Sequence, residues 1–219
     1  MWVRFRVRAR YAPRVMDEQH DGEAASTRRS RSSRLLLSGA IWGPCIFIAA
    51  WVVGGLLLSG YSPVDQHISD LAAVDASTRW LMTLGFAAFA LGVGVAVLPL
   101  RRLIGWPAAV ALGINAALMI GIALTPTGGS LDMDRVHAVL ALLLYASLAA
   151  IAPLAAMSLR RHGAIIALSS LAVGVVALTF LSASLGEAKS GLLQRMGMTI
   201  TDVWLIAIGI AGVTGPNRR

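Results

Sequence analysis

Six long apolar segments, separated by short polar connections, constrain the fold of this chain more than any other feature. The segments cover residues 35–58, 80–100, 103–125, 136–158, 164–185 and 196–214. A helix that spans a membrane needs about 20 consecutive apolar residues, and each segment is close to that length or exceeds it. Short connections favour antiparallel packing of consecutive helices. We therefore predict an all-α, polytopic membrane bundle of six transmembrane helices within residues 35–215.

The overall composition supports the membrane class. Hydrophobic residues make up 57% of the 219 residues, and the mean hydropathy is +0.72. A soluble domain of this size has too little interior to bury so much apolar surface. We therefore expect the lipid bilayer to cover the outside of the bundle.

The charged residues divide between the two sides of the predicted bundle. The N-terminal region and three arginine pairs (101–102, 160–161 and 218–219) place fifteen arginines and four acids on one side. The other side, with Asp202, has four basic residues and seven acids. Positive residues stay in the cytoplasm, so both termini should be cytoplasmic. The net charge of +8 then reflects topology, and we expect no nucleic-acid partner.

The composition also bears on the source and on the ends of the chain. Arginine outnumbers lysine eighteen to one, which indicates a GC-rich bacterial genome and hence the bacterial plasma (inner) membrane. Residues 1–34 lack an apolar segment, so we expect a disordered basic cytoplasmic tail that contacts anionic lipid. Alternatively, translation starts at Met16. Residues 216–219 form a second short cytoplasmic tail.

The connections on the acidic side hold two His–carboxylate pairs. In the first connection Ser62, Pro63 and Asp65 predict the start of a short helix at the membrane surface. His67 and Asp70 would share a face of it. Asp134 and His137 are spaced in the same way at the start of helix 4.

These pairs supply the nitrogen and oxygen ligands that zinc or manganese accepts, so His67, Asp70, Asp134 and His137 are a candidate metal site. The alternative is that acids near helix N-termini only stabilise the helix dipole.

Asp202 lies two turns inside helix 6. An ionisable side chain in a membrane segment costs at least ~2.5 kcal/mol when it faces lipid, so Asp202 should face the bundle. We expect it to form an ion pair with Arg195, seven residues earlier on the same face, or with Arg79 or Arg135. Two interpretations stay open, an ion pair that locks the helices together and a ligand or proton site.

Small residues recur at four-residue spacing in helices 1 and 3. Gly39 and Gly43 form a GxxxG, and Gly113, Ala117 and Gly121 repeat the spacing. This pattern allows close helix contacts in lipid, either within the bundle or between copies of a homo-oligomer. Cys45 is the only cysteine, which excludes an internal disulfide and a cysteine-based zinc site.

The acidic-side connections resemble a known family. Gly60-Tyr61-Ser62-Pro63, Ile68-Ser69-Asp70-Leu71-Ala72, Pro126, His137 and Gly191-Leu192-Leu193-Gln194-Arg195 are similar to the family called domain of unknown function 998, over roughly residues 38–213. The resemblance implies about six spanning helices and no established activity. It also implies that Ser69, Asp70, His137, Gln194 and Arg195 are the matching polar positions.

These observations favour a non-enzymatic membrane protein that needs no cofactor. Its outward-facing polar cluster would bind a polar or lipid head group, or would lock the bundle. The cluster consists of Ser69, Asp70, His137, Gln194, Arg195 and Asp202. One alternative is a metal-dependent membrane hydrolase whose metal-bound water is the nucleophile. Another is a small proton-coupled transporter in which Asp202 and His137 exchange protons.

Overall fold

The computed structural model describes residues 31–186 and 188–215, and its architecture is a bundle of six long helices. The helices are α1 Gly39–Leu57, α2 Arg79–Ile104, α3 Trp106–Leu124, α4 Leu131–Leu159, α5 Ala164–Ala183 and α6 Ser190–Thr214. Residues 31–37 are helical too and lead into α1. Six spans are long and apolar enough to cross a membrane, which confirms the predicted fold class. Of the predicted disordered tail, residues 31–34 are helical, and residues 1–30 lie outside the described residues, as does the predicted tail at 216–219.

Helices α4 and α6 begin five or six residues earlier than hydropathy predicted. Helix α4 begins five residues early, at Leu131, because the Ser130 hydroxyl accepts a hydrogen bond from Met133 N at 3.2 Å and caps the helix. Helix α6 begins six residues early, at Ser190. Gln194 and Arg195 therefore lie on a helix and not in the preceding connection, where the sequence analysis placed them.

The helices form a closed ring with three of them at its centre. Each helix packs on the next one in the chain, and α6 returns to pack on α1. Helices α2, α4 and α6 also contact one another, so they form an inner triangle, with α1, α3 and α5 between them on the outside. The three inner helices start at the same end of the bundle, which we call the acidic end.

The connection between α1 and α2 is folded into the acidic end. We call its residues 61–73 the cap loop. A 3-10 helix at Ile68–Ala72 buries Ile68, Leu71 and Ala72 almost completely. The prediction of a surface helix that starts at Ser62 was wrong, because Ser62 and Asp65 only form a turn, closed by a 2.7 Å hydrogen bond. The helical segment forms later, where apolar side chains recur and pack into the core.

Two glycines of α1 contact helix α2 within the bundle. A Cβ atom at Gly39 would lie 2.1 Å from Gly92 O of α2, and one at Gly43 would lie 3.3 Å from Gly92 Cα. The GxxxG of α1 therefore lets the backbones of α1 and α2 approach closely. Phe47 of α1 packs against Phe86 and Phe89 of α2 next to this contact.

Candidate functional site

A cavity of about 320 Å³ lies at the acidic end, between the cap loop and helices α3, α4 and α6. Its polar lining comes from the cap loop, from the start of α4 and from α6. These polar residues are His67, Ser69, Asp70, Thr127, Asp134, His137, Tyr145, Ser184 and Gln194. The rest of the lining is apolar and includes Phe86, Met119, Leu144 and Met198. The cavity therefore has a polar part near the cap loop and an apolar part towards the middle of the bundle.

The polar side chains of α4 are oriented by the backbone in front of that helix. His137 is 7% exposed, and its Nδ1 lies 2.6 Å from Thr125 O. Because a carbonyl oxygen only accepts, Nδ1 is the donor of this hydrogen bond, and Nε2 is the ring nitrogen left for another contact. Asp134 Oδ1 accepts a hydrogen bond from Gly128 N at 2.8 Å, which leaves its second oxygen for a ligand.

The cap loop contributes a second acid. Asp70 Oδ2 accepts a hydrogen bond from His67 N at 2.9 Å, which fixes the carboxylate and leaves Oδ1. The Ser69 and His67 side chains also line the cavity. The cavity thus faces two carboxylates that each retain a spare oxygen.

Gln194 ties the cap loop to the helices. Its Oε1 accepts a hydrogen bond from Ile68 N at 2.7 Å, and its Nε2 donates to the Tyr145 hydroxyl. The side chain is 5% exposed and both halves of its amide are occupied. Gln194 therefore positions the walls of the cavity more than it offers groups to a ligand.

Arg195 is buried but does not line the cavity. Its Nη1 donates to Pro63 O, Gln66 O and Gly191 O at 2.8–2.9 Å, and its Nη2 donates to the Tyr61 hydroxyl. The guanidinium also lies 5.5 Å from the ring centroid of Trp51. All these partners are neutral, so Arg195 fastens the first part of the cap loop to α6.

Tyr61 completes this contact. Its hydroxyl donates to His67 O at 2.8 Å and accepts from Arg195. Burial raises the pKa of Tyr61, although the nearby Arg195 acts in the opposite direction. The phenol is therefore neutral at physiological pH and serves as both donor and acceptor.

Asp202 is 1% exposed, and the prediction that it pairs with an arginine was wrong for the described residues. Arg195 donates to neutral oxygens, Arg79 lies over the ring of Trp80, and Arg135 pairs with Asp132 at 3.2 Å. That exposed pair is the one ion pair within residues 31–186 and 188–215. Asp202 Oδ2 is buried with no hydrogen-bond partner in this part of the chain, and Asp202 does not line the cavity.

Four of the six predicted binding residues line the cavity, namely Ser69, Asp70, His137 and Gln194, whereas Arg195 and Asp202 do not. Sequence reasoning missed Thr127 and Tyr145. Tyr145 follows His137 by eight residues, so helical spacing would have placed both on one face. Thr127 lies in a connection whose path had no sequence signal.

The four predicted metal ligands, His67, Asp70, Asp134 and His137, all line this cavity. Within the described ranges, however, no three His, Cys, Asp or Glu side chains are grouped closely enough to hold a metal ion. The hydrogen bonds to Thr125 and Gly128 orient His137 and Asp134, while Asp70 is held within the cap loop. A site for zinc or manganese stays a prediction.

Six membrane-spanning helices and a partly polar cavity at one end define a multi-pass membrane protein. The model of a family described as "Protein of unknown function (DUF998)" matches residues 41–211, and the chain therefore belongs to that family. This match confirms the resemblance carried by the acidic-side connections. No curated protein and no solved structure matches the chain.

Proposed function

We propose that this membrane protein binds the polar end of a small or amphipathic ligand in the cavity at the acidic end. The observation that carries the proposal is the lining, which combines two partly satisfied carboxylates, Asp70 and Asp134, with apolar walls. No Lys or Arg of the described residues lines it. The polar end of the ligand should therefore be an amine or another hydrogen-bond donor.

The size and character of the cavity support binding of a small group. Ligand pockets typically measure about 300–1,000 Å³ and are mostly apolar, with a few polar groups that fix orientation. The cavity, at about 320 Å³, is at the lower limit of this range. It suits one head group or a short part of a larger molecule.

An anionic ligand at Arg195 is the less favoured version of the proposal. Both terminal nitrogens of the guanidinium donate to the cap loop, and Nε, which has no hydrogen-bond partner among the described residues, is buried, so an anion would have to displace the cap loop to reach it. For the same reason we propose that Arg195 holds the cap loop in position and does not contact the ligand.

We further propose a bacterial plasma membrane location with both termini in the cytoplasm. The support is the arginine pairs 101–102 and 160–161, at the end opposite to the cavity. The cavity would then face the outside of the cell.

The test is an analysis of what the purified protein carries. Wild type, Asp134→Asn and Asp132→Asn would be purified in detergent and their solvent extracts compared by mass spectrometry. Asp132 is the matched control, because it is also acidic and near the start of α4 but is exposed and paired with Arg135.

We expect an amine-bearing compound with wild type and Asp132→Asn, and its loss with Asp134→Asn. Identical extracts from all three proteins would refute the proposal.

A metal-dependent membrane hydrolase is the second candidate, because the four predicted ligands share one cavity. Elemental analysis of wild type beside His137→Ala would decide it. Near-stoichiometric zinc or manganese in the wild type, lost in the variant, would make it the leading candidate. The proton-coupled transporter has less support, since Asp202 does not line the cavity.

A further inference from the structure

We infer that the ligand is an amine-headed membrane lipid that enters the cavity sideways, between α4 and α6, from the leaflet at the acidic end. This inference rests on the proposed function and names the ligand class and its route.

The route exists because α5 is shorter than its neighbours. Helix α5 has 20 residues, whereas α4 has 29 and α6 has 25. Gly174 of α5 fixes the level of the two helices, because a Cβ atom there would lie 2.1 Å from Pro153 Cγ and 2.9 Å from Ala149 O of α4. Helix α5 continues only nine residues further, about 13 Å, and so ends level with about residues 140–144 of α4.

The start of α6 also extends beyond the end of α5. A Cβ atom at Gly197 would lie 2.6 Å from Leu181 Cγ of α5, so residue 197 is level with the last turns of α5. Helix α5 ends two residues after Leu181, so residues 190–194 of α6 and the first ten of α4 have no helix of α5 between them. The described residues of the connection from α5 to α6, 184–186 and 188–189, include Ser184 and Leu185 of the cavity lining.

The cavity reaches the outside of the bundle at this gap. Its lining includes Leu142 of α4, which is 53% exposed, and Leu185, which is 62% exposed. It also includes Leu144 and Met119, which are buried. The cavity therefore extends from the lipid-facing surface to the middle of the bundle.

The opening lies at the depth of lipid tails. Leu142 is eleven residues from the start of α4, which is about 16 Å along the helix axis. The whole of α4 is about 43 Å long, and the hydrocarbon core of a bilayer is about 30 Å thick. An acyl chain is thus the neighbour of the opening, and a water-soluble ligand would have to cross lipid to use it.

The size of the cavity limits how much of the lipid enters. A volume of about 320 Å³ is the volume that roughly ten water molecules occupy in liquid water. One head group, or a short stretch of chain, fits, and the remaining chains stay in the bilayer. The spare carboxylate oxygens of Asp70 and Asp134 then meet the amine, with His137 beside them.

The experiment uses the full-length protein in nanodiscs that contain phosphatidylethanolamine with a photoreactive acyl chain. Parallel nanodiscs contain phosphatidylglycerol with the same chain. The variant Ala138→Trp fills the opening. Its matched control is Ala146→Trp, because Ala146 is also exposed on α4 but does not line the cavity.

We expect phosphatidylethanolamine to label α4 near residues 138–145. The labelling should be lost in Ala138→Trp, kept in Ala146→Trp and weak with phosphatidylglycerol. If Ala138→Trp does not fold, Leu142→Trp replaces it, with the exposed Leu143→Trp as its control.

Soluble glycerophosphoethanolamine separates the two proposals. If it raises the melting temperature of wild type and Ala138→Trp alike while the lipid labels neither, lateral lipid entry is overturned and the binding function stands. Equal labelling by both lipids overturns the preference for an amine. No labelling by lipid together with no shift by the soluble compound overturns both proposals.

Discussion

Two ionisable side chains of α6 are buried in different ways, and the difference decides what each contributes. Arg195 has four neutral hydrogen-bond acceptors around its guanidinium. Asp202, two turns further on, has no ionic partner among the described residues. Arg195 holds the cap loop in place, whereas Asp202 forms no ion pair with a described residue that could hold the helices together.

The substitution Asp202→Asn should therefore have little effect on stability. Asparagine keeps the shape, and no described partner loses an ionic contact. Breaking a buried ion pair typically costs about 3–5 kcal/mol, whereas we expect a change within about 1 kcal/mol. Thermal unfolding of wild type and variant in detergent measures the change in stability. A large loss of stability would reveal a partner for Asp202.

The substitution Arg195→Ala should destabilise the protein strongly. It removes the hydrogen bonds from the guanidinium to Pro63 O and Gln66 O, and a hydrogen bond to a charged group typically contributes about 1.5–3 kcal/mol. In hydrogen-exchange measurements, the backbone amides of the cap loop should be the first to lose protection. Arg135→Ala is the control, because its exposed pair with Asp132 should contribute only about 0–1 kcal/mol. Equal effects of the two substitutions would contradict the role assigned to Arg195.

At the scale of the helix, close packing of α1 and α2 depends on Gly92. A Cβ atom there would lie 2.7 Å from Gly39 O and 2.8 Å from Gly43 Cα. The glycines of α1 thus have an intramolecular partner, and a homo-oligomer stays an untested prediction.

The substitution Gly92→Ala should cost about 1–3 kcal/mol, the usual penalty of overpacking, because two backbones would have to separate. Gly94→Ala is its matched control, since a Cβ atom at Gly94 has no neighbour within 4 Å. Unfolding measured by intrinsic fluorescence compares the two variants. Equal stability would mean that α1 and α2 need no glycine contact.

Hydropathy predicts where the helices are but not where their polar turns begin. The middle of every helix was predicted, because about 20 apolar residues in lipid have no better way to satisfy their backbone than a helix. The first turns of α6 were missed because Ser190, Gln194 and Arg195 are polar. Their hydrogen-bond partners lie in the cap loop, more than 120 residues earlier in the chain.

The candidate site shows the same limit. The acids and histidines near the cavity were predicted from their spacing. The apolar part of the lining and Thr127 depend on how α3, α4 and the connections come together, and local pattern carries no information about that. The prediction of an ion pair for Asp202 was wrong for a related reason. Arg195 is near Asp202 along the helix, but this spacing does not show which acceptors from other parts of the bundle its guanidinium contacts.

At the scale of the whole molecule, the two ends of the bundle differ in charge, and this difference predicts orientation. In a variant without Cys45, Asp132→Cys should react with a membrane-impermeant maleimide in intact bacterial cells, and Arg161→Cys should react only after lysis. Both positions are exposed, so access depends on the side of the membrane. The reverse result would place the cavity in the cytoplasm.

The attachment of the cap loop to α6 has a consequence for biogenesis. The loop emerges from the ribosome after α1, yet its anchors, Gln194 and Arg195, are translated about 130 residues later. At the 5–20 residues per second of translation, the loop waits roughly 6–26 s for them. The cap loop therefore cannot close before α6 is translated, and a chain that lacks α6 also lacks Gln194 and Met198 of the cavity lining.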